Sequence, residues 1–446
     1  MEVENRNWQK LEFPKILELL SAKASFAIGR EWIERLAPAP DAATAESWMA
    51  ETEEAREILR LYPLFSLGRV RNIREPLKRA ELGGVLSISE LVDIGDTCRA
   101  SRQTRDFFSQ VKGSFPICCG LGKTLGLYKT IESALEKAIT PENVIADTAS
   151  DRLYNIRRKI KQNQDRVKER LESFIHNPLT VKYLQDPIVT IRGDRYVVPV
   201  KQEYRSQVPG IVHDMSASGA TLFVEPLGVM EANNDLAKLH MEEEEEISAI
   251  LQALTMVVVG FVEDIRTSLA ILGQLDFIFA KAKLSQDMDG ASAKINNKGI
   301  IHLKKARQVV PVDIKLPGEL YAMVITGPNT GGKTVSLKTV GLLTLMALCG
   351  LHIPAEKGSE IAYYQNIFAD IGDEQSIEQS LSTFSSHMVN IVNILAAADS
   401  QSLVLLDELG AGTDPMEGAA LAMSILEYLH HVKAKIVATT HYSELK

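Results

Sequence analysis

The sequence predicts a multi-domain protein with a helical part, two long helices that carry a β-rich insert, and a C-terminal α/β part. Three observations favour this fold class. Apolar residues recur at helical spacing early in the chain, and the pattern changes to short β-rich runs at about 186–227. Later, a short apolar run at Tyr321–Thr326 leads through glycines into a helical pattern at Val335–Leu348. The length of 446 residues itself indicates about three domains.

The composition is that of an ordinary globular protein, with 45% hydrophobic and 24% charged residues. A net charge of −9 excludes a chain that is basic throughout, although a local basic patch stays open. The four cysteines lack metal-ligand spacing and the N-terminus is polar, so a cytoplasmic protein without a signal peptide is expected. The longest apolar run is too short to cross a membrane, so no membrane partner is expected.

Residues 1–147 are predicted to form a helical core domain. Helical spacing runs over 46–61 and 87–107, and the second of these helices has Ser87 or Ser89 as its candidate N-cap. Because no cluster of catalytic residue types occurs in this part, the sequence predicts a structural role for it.

Residues 148–290 are predicted to form a lever of two long helices with a clamp, the β-rich insert at about 186–227. The first helix starts near Thr148 and has one apolar stripe along its length. The second helical stretch runs from about Val229 to Leu284. Between them, the insert has the pattern of two β-hairpins around short turns.

Two groups of basic side chains are candidates for contact with nucleic-acid phosphates. Residues 151–170 of the first long helix carry eight basic side chains against three acids, and a solvated outer face is the alternative. The second group surrounds the hairpin turns and consists of Arg192, Arg195, Lys201 and Arg205. The alternative for this group is that the arginines only pair with neighbouring acids such as Asp194 and Glu203.

Residues 291–446 contain a glycine loop between the predicted strand and helix. The loop matches Gly-x-x-x-x-Gly-Lys-[Ser/Thr] at every required position, and a chance match of a glycine-rich turn is the alternative. Its backbone N–H groups and the following helix N-terminus suit phosphate, with Lys333 at the β- and γ-phosphates and Thr334 on Mg²⁺. The loop residues are Gly327, Pro328, Asn329, Thr330, Gly331, Gly332, Lys333 and Thr334. ATP and Mg²⁺ are therefore the expected cofactors.

Two further strands end in residues that suit nucleotide chemistry. Ser402–Leu406 is mostly apolar and ends in Asp407 and Glu408, which predicts a Walker B element. Asp407 is the candidate Mg²⁺ ligand and Glu408 the candidate base that polarises water. Lys435–Thr440 is another strand candidate, and His441 follows at its C-terminal end, where ligands bind in parallel α/β sheets. His441 is therefore a candidate γ-phosphate sensor.

A serine-rich segment, residues 381–388, lies between these motifs. Ser382 and Thr383 are predicted to cap a helix that runs through 390–397. Together with the other motifs, the segment resembles the signature segment of ABC-type ATPases. In those proteins, the helix N-terminus of this segment faces the nucleotide that is bound by the other subunit. The resemblance makes Ser382 a nucleotide-binding candidate.

The motifs together resemble the ATPase domain of the MutS family. The resemblance is carried by Gly-Pro-Asn-Thr-Gly-Gly-Lys-Thr, Ser-Thr-Phe, Leu-Leu-Asp-Glu-Leu-Gly-Ala-Gly-Thr-Asp-Pro and Thr-Thr-His-Tyr. Two earlier segments, 192–200 and 210–226, resemble the type-two bacterial branch of that family. The resemblance covers essentially the whole chain.

The resemblance implies a homodimer with composite ATP sites, an ABC-type ATPase domain over 291–446, and a clamp that encloses nucleic acid. It also implies branched DNA or ribosomal RNA as the partner, suppression of homologous recombination, and rescue of collided ribosomes. Nuclease activity in this branch is assigned to a C-terminal Smr domain. Because the sequence ends at Lys446, a truncated chain is expected, and endonuclease activity is expected to need that further domain.

Two other functions compete with a nucleic-acid-directed ATPase. An ABC-type transport subunit predicts a Leu-Ser-Gly-Gly-Gln signature and no lever, and neither expectation fits the sequence. A scaffold that binds nucleotide without turnover is the other alternative, and Glu408 argues against it.

Overall fold

The structure is a computed structural model, and it describes residues 7–307, 311–327, 331–372, 380–411 and 413–442. Its helices are α1 (Phe13–Ser21), α2 (Ala27–Glu34), α3 (Ala42–Leu61), α4 (Arg74–Glu81), α5 (Ile88–Gln110), α6 (Pro116–Thr124), α7 (Lys129–Ala138), α8 (Asp151–His176), α9 (Leu227–Val259), α10 (Val262–Asp287), α11 (Lys333–Leu348), α12 (Ser380–Ala397) and α13 (Pro415–His431). Its strands are β1 (Thr190–Arg192), β2 (Arg195–Lys201), β3 (Gly210–Met215), β4 (Thr221–Pro226), β5 (Lys294–Asn296), β6 (Ile301–Ala306), β7 (Val312–Leu316), β8 (Ala322–Thr326), β9 (Glu360–Ala362), β10 (Asn366–Asp370), β11 (Ser402–Leu406) and β12 (Lys435–Thr440).

The chain folds into two compact units that are each assembled from separate segments. The first unit consists of Met1–Asn72, Ala100–Gly126 and Thr267–Lys446, and the second of Ile73–Arg99 and Leu127–Arg266. The mixture of helices and small sheets agrees with the multi-domain fold class expected from the sequence. The division into domains 1–147, 148–290 and 291–446 stays a prediction.

The second unit contains the predicted first long helix and the β-rich insert. Helix α8 buries the expected stripe, and the Ser150 hydroxyl caps it by accepting the Leu153 N–H at 3.0 Å. The insert is a four-stranded antiparallel sheet in the order β1-β2-β4-β3. Apolar side chains of β2 and β4 share a core with α8 and α9, so one face of the sheet is buried against helices.

The second long helical stretch is not one helix. The stretch predicted from about Val229 to Leu284 is helical but divided, because α9 ends at Val259 and α10 begins at Val262. Gly260 stands at the break, and glycine is a poor helix former because it keeps the most backbone freedom when unfolded. Among the described residues no single helix has the length and apolar composition to span a membrane; α9 and α10 meet that test only as a bent pair.

The first unit is organised around a four-stranded parallel sheet in the order β10-β11-β12-β8. Successive side chains of a strand point to opposite faces. Leu405 and Val437 join a core with α11 and the N-terminal helices, whereas Val404 and Ile436 join a second core with α12 and α13. Helices therefore cover both faces, which explains why these strands read as continuous apolar runs.

A second sheet of the first unit has the order β5-β9-β6-β7 and mixes parallel with antiparallel pairs. The sequence analysis did not predict this sheet, whose strands are three to six residues long. Its buried residues, such as Ile301 and Leu303, belong to the same core as α11.

Candidate functional site

Four parallel strands bring the predicted nucleotide residues to one edge of their sheet. The carboxyl ends of parallel strands meet at the same edge, and ligands bind there in open α/β sheets. β8 leads into Gly327, β11 into Asp407 and Glu408, and β12 into His441. Residues from distant parts of the sequence are thereby collected at a single place.

The described part of the glycine loop has an open backbone. Gly327 and Gly332 have φ angles of 140° and 76°, which residues with a side chain rarely adopt. Among the described residues, and apart from the chain neighbours, a Cβ built at Gly327, Gly331 or Gly332 would meet no atom within 4 Å. These glycines leave the backbone at the start of α11 accessible from the described side, as a phosphate cradle requires. Pro328, Asn329 and Thr330 lie outside the described residues, and their role stays a prediction.

Lys333 connects the loop to the neighbouring strand. Its side chain is almost fully buried, with 4% of the residue exposed. The amine donates to the Gly327 carbonyl at 2.7 Å and the Thr440 carbonyl at 3.4 Å, and lies 3.1 Å from His441 Nδ1. A buried cation held at the mouth of a glycine loop is the arrangement that a polyphosphate needs.

His441 links Lys333 to Glu408. Its Nε2 lies 3.1 Å from Glu408 Oε1, while its Nδ1 faces the Lys333 amine. An ammonium group only donates and a carboxylate only accepts, so these contacts select the tautomer with the proton on Nε2. The three predicted catalytic candidates thus form one hydrogen-bonded row along the strand edge.

Thr439 contacts both candidate Walker B residues, the side chain of Asp407 and the backbone of Glu408, and the sequence analysis missed it. Its hydroxyl donates to Asp407 Oδ1 at 2.5 Å and accepts the Glu408 N–H at 2.8 Å. Glu408 has a φ angle of 47°, an uncommon backbone conformation for a residue with a side chain. The position of Thr439 in the sequence could have indicated it, because this threonine stands two residues before His441, near the end of a predicted strand.

The oxygen groups at this sheet edge suit a magnesium ion that is shared with substrate phosphates better than a metal ion held by protein ligands alone. In the described ranges, no cluster of three or more His, Cys, Asp or Glu side chains is placed to hold a metal. Mg²⁺ is commonly held by only one or two protein oxygens together with substrate phosphates. Thr334, in the first turn of α11, and Asp407 are the two candidate oxygens, as the sequence predicts.

The predicted helix cap at Ser382 and Thr383 is wrong. Helix α12 already begins at Ser380, so both residues lie inside it rather than before it. The side chains of residues 380–386 lie outside the described part of the structure. The nucleotide contact predicted for Ser382 stays a prediction.

A third acid, Asp370, and a second histidine, His387, accompany the site without having been predicted. Asp370 ends β10, and its backbone carbonyl accepts the Asp407 N–H at 2.8 Å. The Asp370 carboxylate accepts hydrogen bonds from His387 and Asn390 of α12. The signal for Asp370 is the same as for Asp407, an acid at the carboxyl end of an apolar strand.

The basic residues around the hairpin turns are engaged within the second unit. Arg192 pairs with Asp214 at 3.1 Å and stacks 4.2 Å from the Phe223 ring centre. Arg205 donates to two backbone carbonyls, and the Lys201 amine lies 6.0 Å from the Tyr204 ring centre. The predicted phosphate contacts of Arg192, Arg195, Lys201 and Arg205 therefore compete with existing internal contacts.

Arg195 is part of a buried polar network. It donates to Glu225, whose side chain is fully buried, at 3.0 Å. His213 and Asn233 also contact the Glu225 carboxylate, at 2.5 and 2.8 Å. Both arginines thus pair with acids, as in the alternative to nucleic-acid contact, but the acids are Asp214 and Glu225 rather than the examples Asp194 and Glu203.

We expect Arg195→Ala to weaken the clamp sheet. Removing one partner of a buried ion pair leaves an uncompensated charge, so the free energy of opening should fall by about 3 kcal/mol. This is the low end of the usual range, because His213 and Asn233 keep their contacts with Glu225. Hydrogen exchange of the β2 and β4 amides measures that free energy.

Arg192→Ala is the matched control for this prediction. Its pair with Asp214 is exposed to solvent on both sides, so the expected loss is about 1 kcal/mol or less. Equal losses in the two variants would contradict the structural role assigned to the Arg195–Glu225 pair.

Comparison with known proteins links the sequence of this chain to one protein family. Residues 323–446 match the family model of MutS domain V, and the chain belongs to the MutS family. Over its full length it resembles proteins of the type-two branch. It is 49% identical over 450 residues to Endonuclease MutS2 of Symbiobacterium thermophilum, 50% over 446 residues to that of a Geobacillus species, and 48% over 454 residues to that of Clostridioides difficile.

These alignments include nearly all of this chain but not all of its relatives. They cover 98–100% of the chain and 56–57% of the three relatives. The chain therefore spans little more than half the length of the curated relatives that it matches.

Proposed function

We propose that the chain is a clamp-type ATPase of the MutS family that hydrolyses ATP with Mg²⁺. The observation that carries the proposal is the row Lys333–His441–Glu408, which joins the glycine loop to a candidate base at one sheet edge. Each member comes from a different segment, and each stands at the end of a parallel strand or of the glycine loop.

Each residue has a distinct part in this proposal. Lys333 holds phosphate oxygens, and Glu408 orients water and accepts its proton. Thr334 and Asp407 would hold Mg²⁺, which when bound supplies positive charge against the phosphates. His441 contacts both Lys333 and Glu408. A phosphate bound at Lys333 can therefore change the position of Glu408, the candidate base, through His441.

The main alternative is a nucleotide-binding scaffold without turnover. The hydrogen bonds to Glu408 disfavour it, because Thr439 and His441 hold this acid in a defined orientation at the edge. Phosphate release from ATP by the chain alone, with branched DNA, and with ribosomes separates the two functions. Turnover in any of these conditions supports the ATPase, and nucleotide binding without turnover in all three supports the scaffold.

The cellular roles are part of the proposal and follow from the family. We propose a cytoplasmic homodimer that binds branched DNA, ribosomal RNA or both, and that acts in suppressing recombination and in rescuing collided ribosomes. The endonuclease in the names of the relatives is not proposed for residues 1–446, since the resemblance assigns it to an Smr domain.

The outer side of α8 is the surface that we propose for nucleic-acid phosphates. Among the described residues, five exposed cations of this helix have no side-chain hydrogen bond or ion pair: Arg158, Lys159, Lys161, Arg166 and Lys168. Arg158, Lys161 and Lys168 are spaced by three and seven residues and so share one side of the helix. Unlike the hairpin arginines, these cations need not break an internal contact to bind a phosphate.

We expect Lys161→Glu combined with Lys168→Glu to weaken nucleic-acid binding similarly across sequences. Binding releases fewer counterions when a phosphate contact is lost. The loss of two contacts should therefore lower the salt slope of log K by roughly 1.8 for duplex DNA. Filter binding or fluorescence anisotropy over a salt series measures both quantities.

Arg192→Glu is the comparison variant, because it changes the hairpin surface instead. If it flattens the salt slope while the α8 double variant does not, the contact surface lies at the hairpin turns and the α8 assignment is wrong.

A further inference from the structure

A buried carboxylate lies directly beside the Walker B acids and is held by groups from two other segments. Asp370 is 3% exposed. His387 Nδ1 donates to its Oδ2 at 2.9 Å, and Asn390 donates to its Oδ1 at 2.8 Å. Lys10, from the helical turn at residues 7–10, lies 3.3 Å from the same Oδ1. The carboxylate therefore ties β10 to α12 and to the N-terminal segment.

The same residue also contacts the Walker B acid through its backbone. The Asp370 carbonyl accepts the Asp407 N–H at 2.8 Å, which extends the pairing of β10 with β11 by one residue. A displacement of Asp370 would thus move the backbone that presents Asp407. Asp407 in turn has only the Thr439 hydroxyl as a described side-chain contact to its carboxylate.

His387 is well placed to control Asp370. A buried carboxylate without partners is costly, so its donors determine where it can lie. Burial by itself would raise the pKa of Asp370, but the hydrogen bonds of His387 and Asn390 outweigh it and hold this pKa below its ordinary value. The hydrogen bond to Asp370 likewise raises the pKa of His387. The two side chains stabilise each other in their charged forms.

We infer that His387 and Asp370 are positioning residues that hold Asp407 where Mg²⁺ is to be bound. The inference rests on the proposed nucleotide site and adds a role for α12, since His387 and Asn390 both reach Asp370 from that helix. It assigns His387 a function through Asp370 rather than a contact with nucleotide. The competing role is that of a fold anchor, in which His387 only stabilises the fold and does not affect the metal site.

Magnesium-dependent nucleotide binding distinguishes the two roles. A fluorescent ATP analogue is titrated onto the chain in EDTA and in Mg²⁺, and the ratio of the two dissociation constants measures the gain from the metal. We expect His387→Ala to reduce this gain about 10-fold, as is usual for groups that orient a metal ligand, and to leave binding in EDTA unchanged. No turnover is needed for this readout.

Two further variants make the result specific. His387→Asn places an amide N–H near the position of Nδ1, so it should restore most of the gain. His431→Ala removes an exposed histidine of the same unit and should behave as wild type.

The possible outcomes separate this inference from the proposed function. An unchanged gain in His387→Ala, or an asparagine variant as poor as alanine, overturns the positioning role alone. Loss of binding in EDTA as well as in Mg²⁺ overturns it in favour of a fold anchor. A wild-type chain that does not bind nucleotide overturns both the positioning role and the proposed nucleotide site.

Discussion

Lys333→Ala is expected to abolish tight binding of Mg·ATP. The substitution removes a buried positive charge and the phosphate contact proposed for it at once. Hydrogen bonds to charged groups contribute about 1.5–3 kcal/mol each, so affinity should fall by roughly 100-fold or more. The loss should appear in the dissociation constant, because the Lys333 amine lies against the glycine loop, where it donates to the Gly327 carbonyl.

Isothermal titration calorimetry measures this effect, with Lys338→Ala as the matched control. Lys338 lies in the same helix, and its amine contacts Glu12 rather than the loop. The control should bind ATP as wild type does. Nucleotide affinity that is unchanged in Lys333→Ala would remove the phosphate-loop assignment.

Glu408→Gln is expected to keep ATP binding while slowing hydrolysis by roughly 10²–10⁴-fold. The amide has nearly the same shape as the carboxylate but cannot accept a proton from water. Binding should persist because Lys333 and the loop backbone are untouched. Steady-state phosphate release, together with the dissociation constant for ATP, measures the two parts of this prediction.

Glu417→Gln is the control for that variant. Glu417 is an exposed acid in the first turn of α13, and its removal should leave turnover unchanged. Turnover of Glu408→Gln within about two-fold of wild type would mean that another group is the base, or that the measured turnover is not catalysed here.

The residues of the candidate nucleotide site could be predicted from the sequence, because the patterns that indicate them are local. Gly327, Lys333 and Asp407 each stand next to a strand or helix whose apolar pattern is readable from a few neighbouring residues. A parallel sheet then places all strand ends together. What local patterns lack is the partner of each group, and so Thr439 was missed although it touches both acids.

The hairpin cations show the same limit more strongly. Positive charge is visible in the sequence, but Arg195 and its acid Glu225 are 30 residues apart and meet only when β2 pairs with β4. Asp194 and Glu203, the examples of acid partners that the sequence offers, are near the arginines in sequence. Antiparallel pairing overrides that nearness, and it turns a candidate binding residue into a structural one.

The continuity of the second helical stretch was also beyond a local pattern. An apolar stripe at helical spacing continues across residues 258–265, and it does not reveal that the helix stops at Val259. Gly260 is a weak signal by itself, because isolated glycines occur inside helices at a cost of about 1 kcal/mol.

The fate of one bound ATP tests the central claim most directly. Excess protein is mixed with labelled ATP and Mg²⁺, quenched after increasing times, and the nucleotide is separated as ATP or ADP. We predict that the wild-type chain converts its bound ATP to ADP, that Glu408→Gln retains it as ATP, and that Lys333→Ala retains no nucleotide. Bound ATP that stays intact on the wild-type chain as long as on Glu408→Gln would contradict the assignment of this sheet edge as a site of ATP hydrolysis.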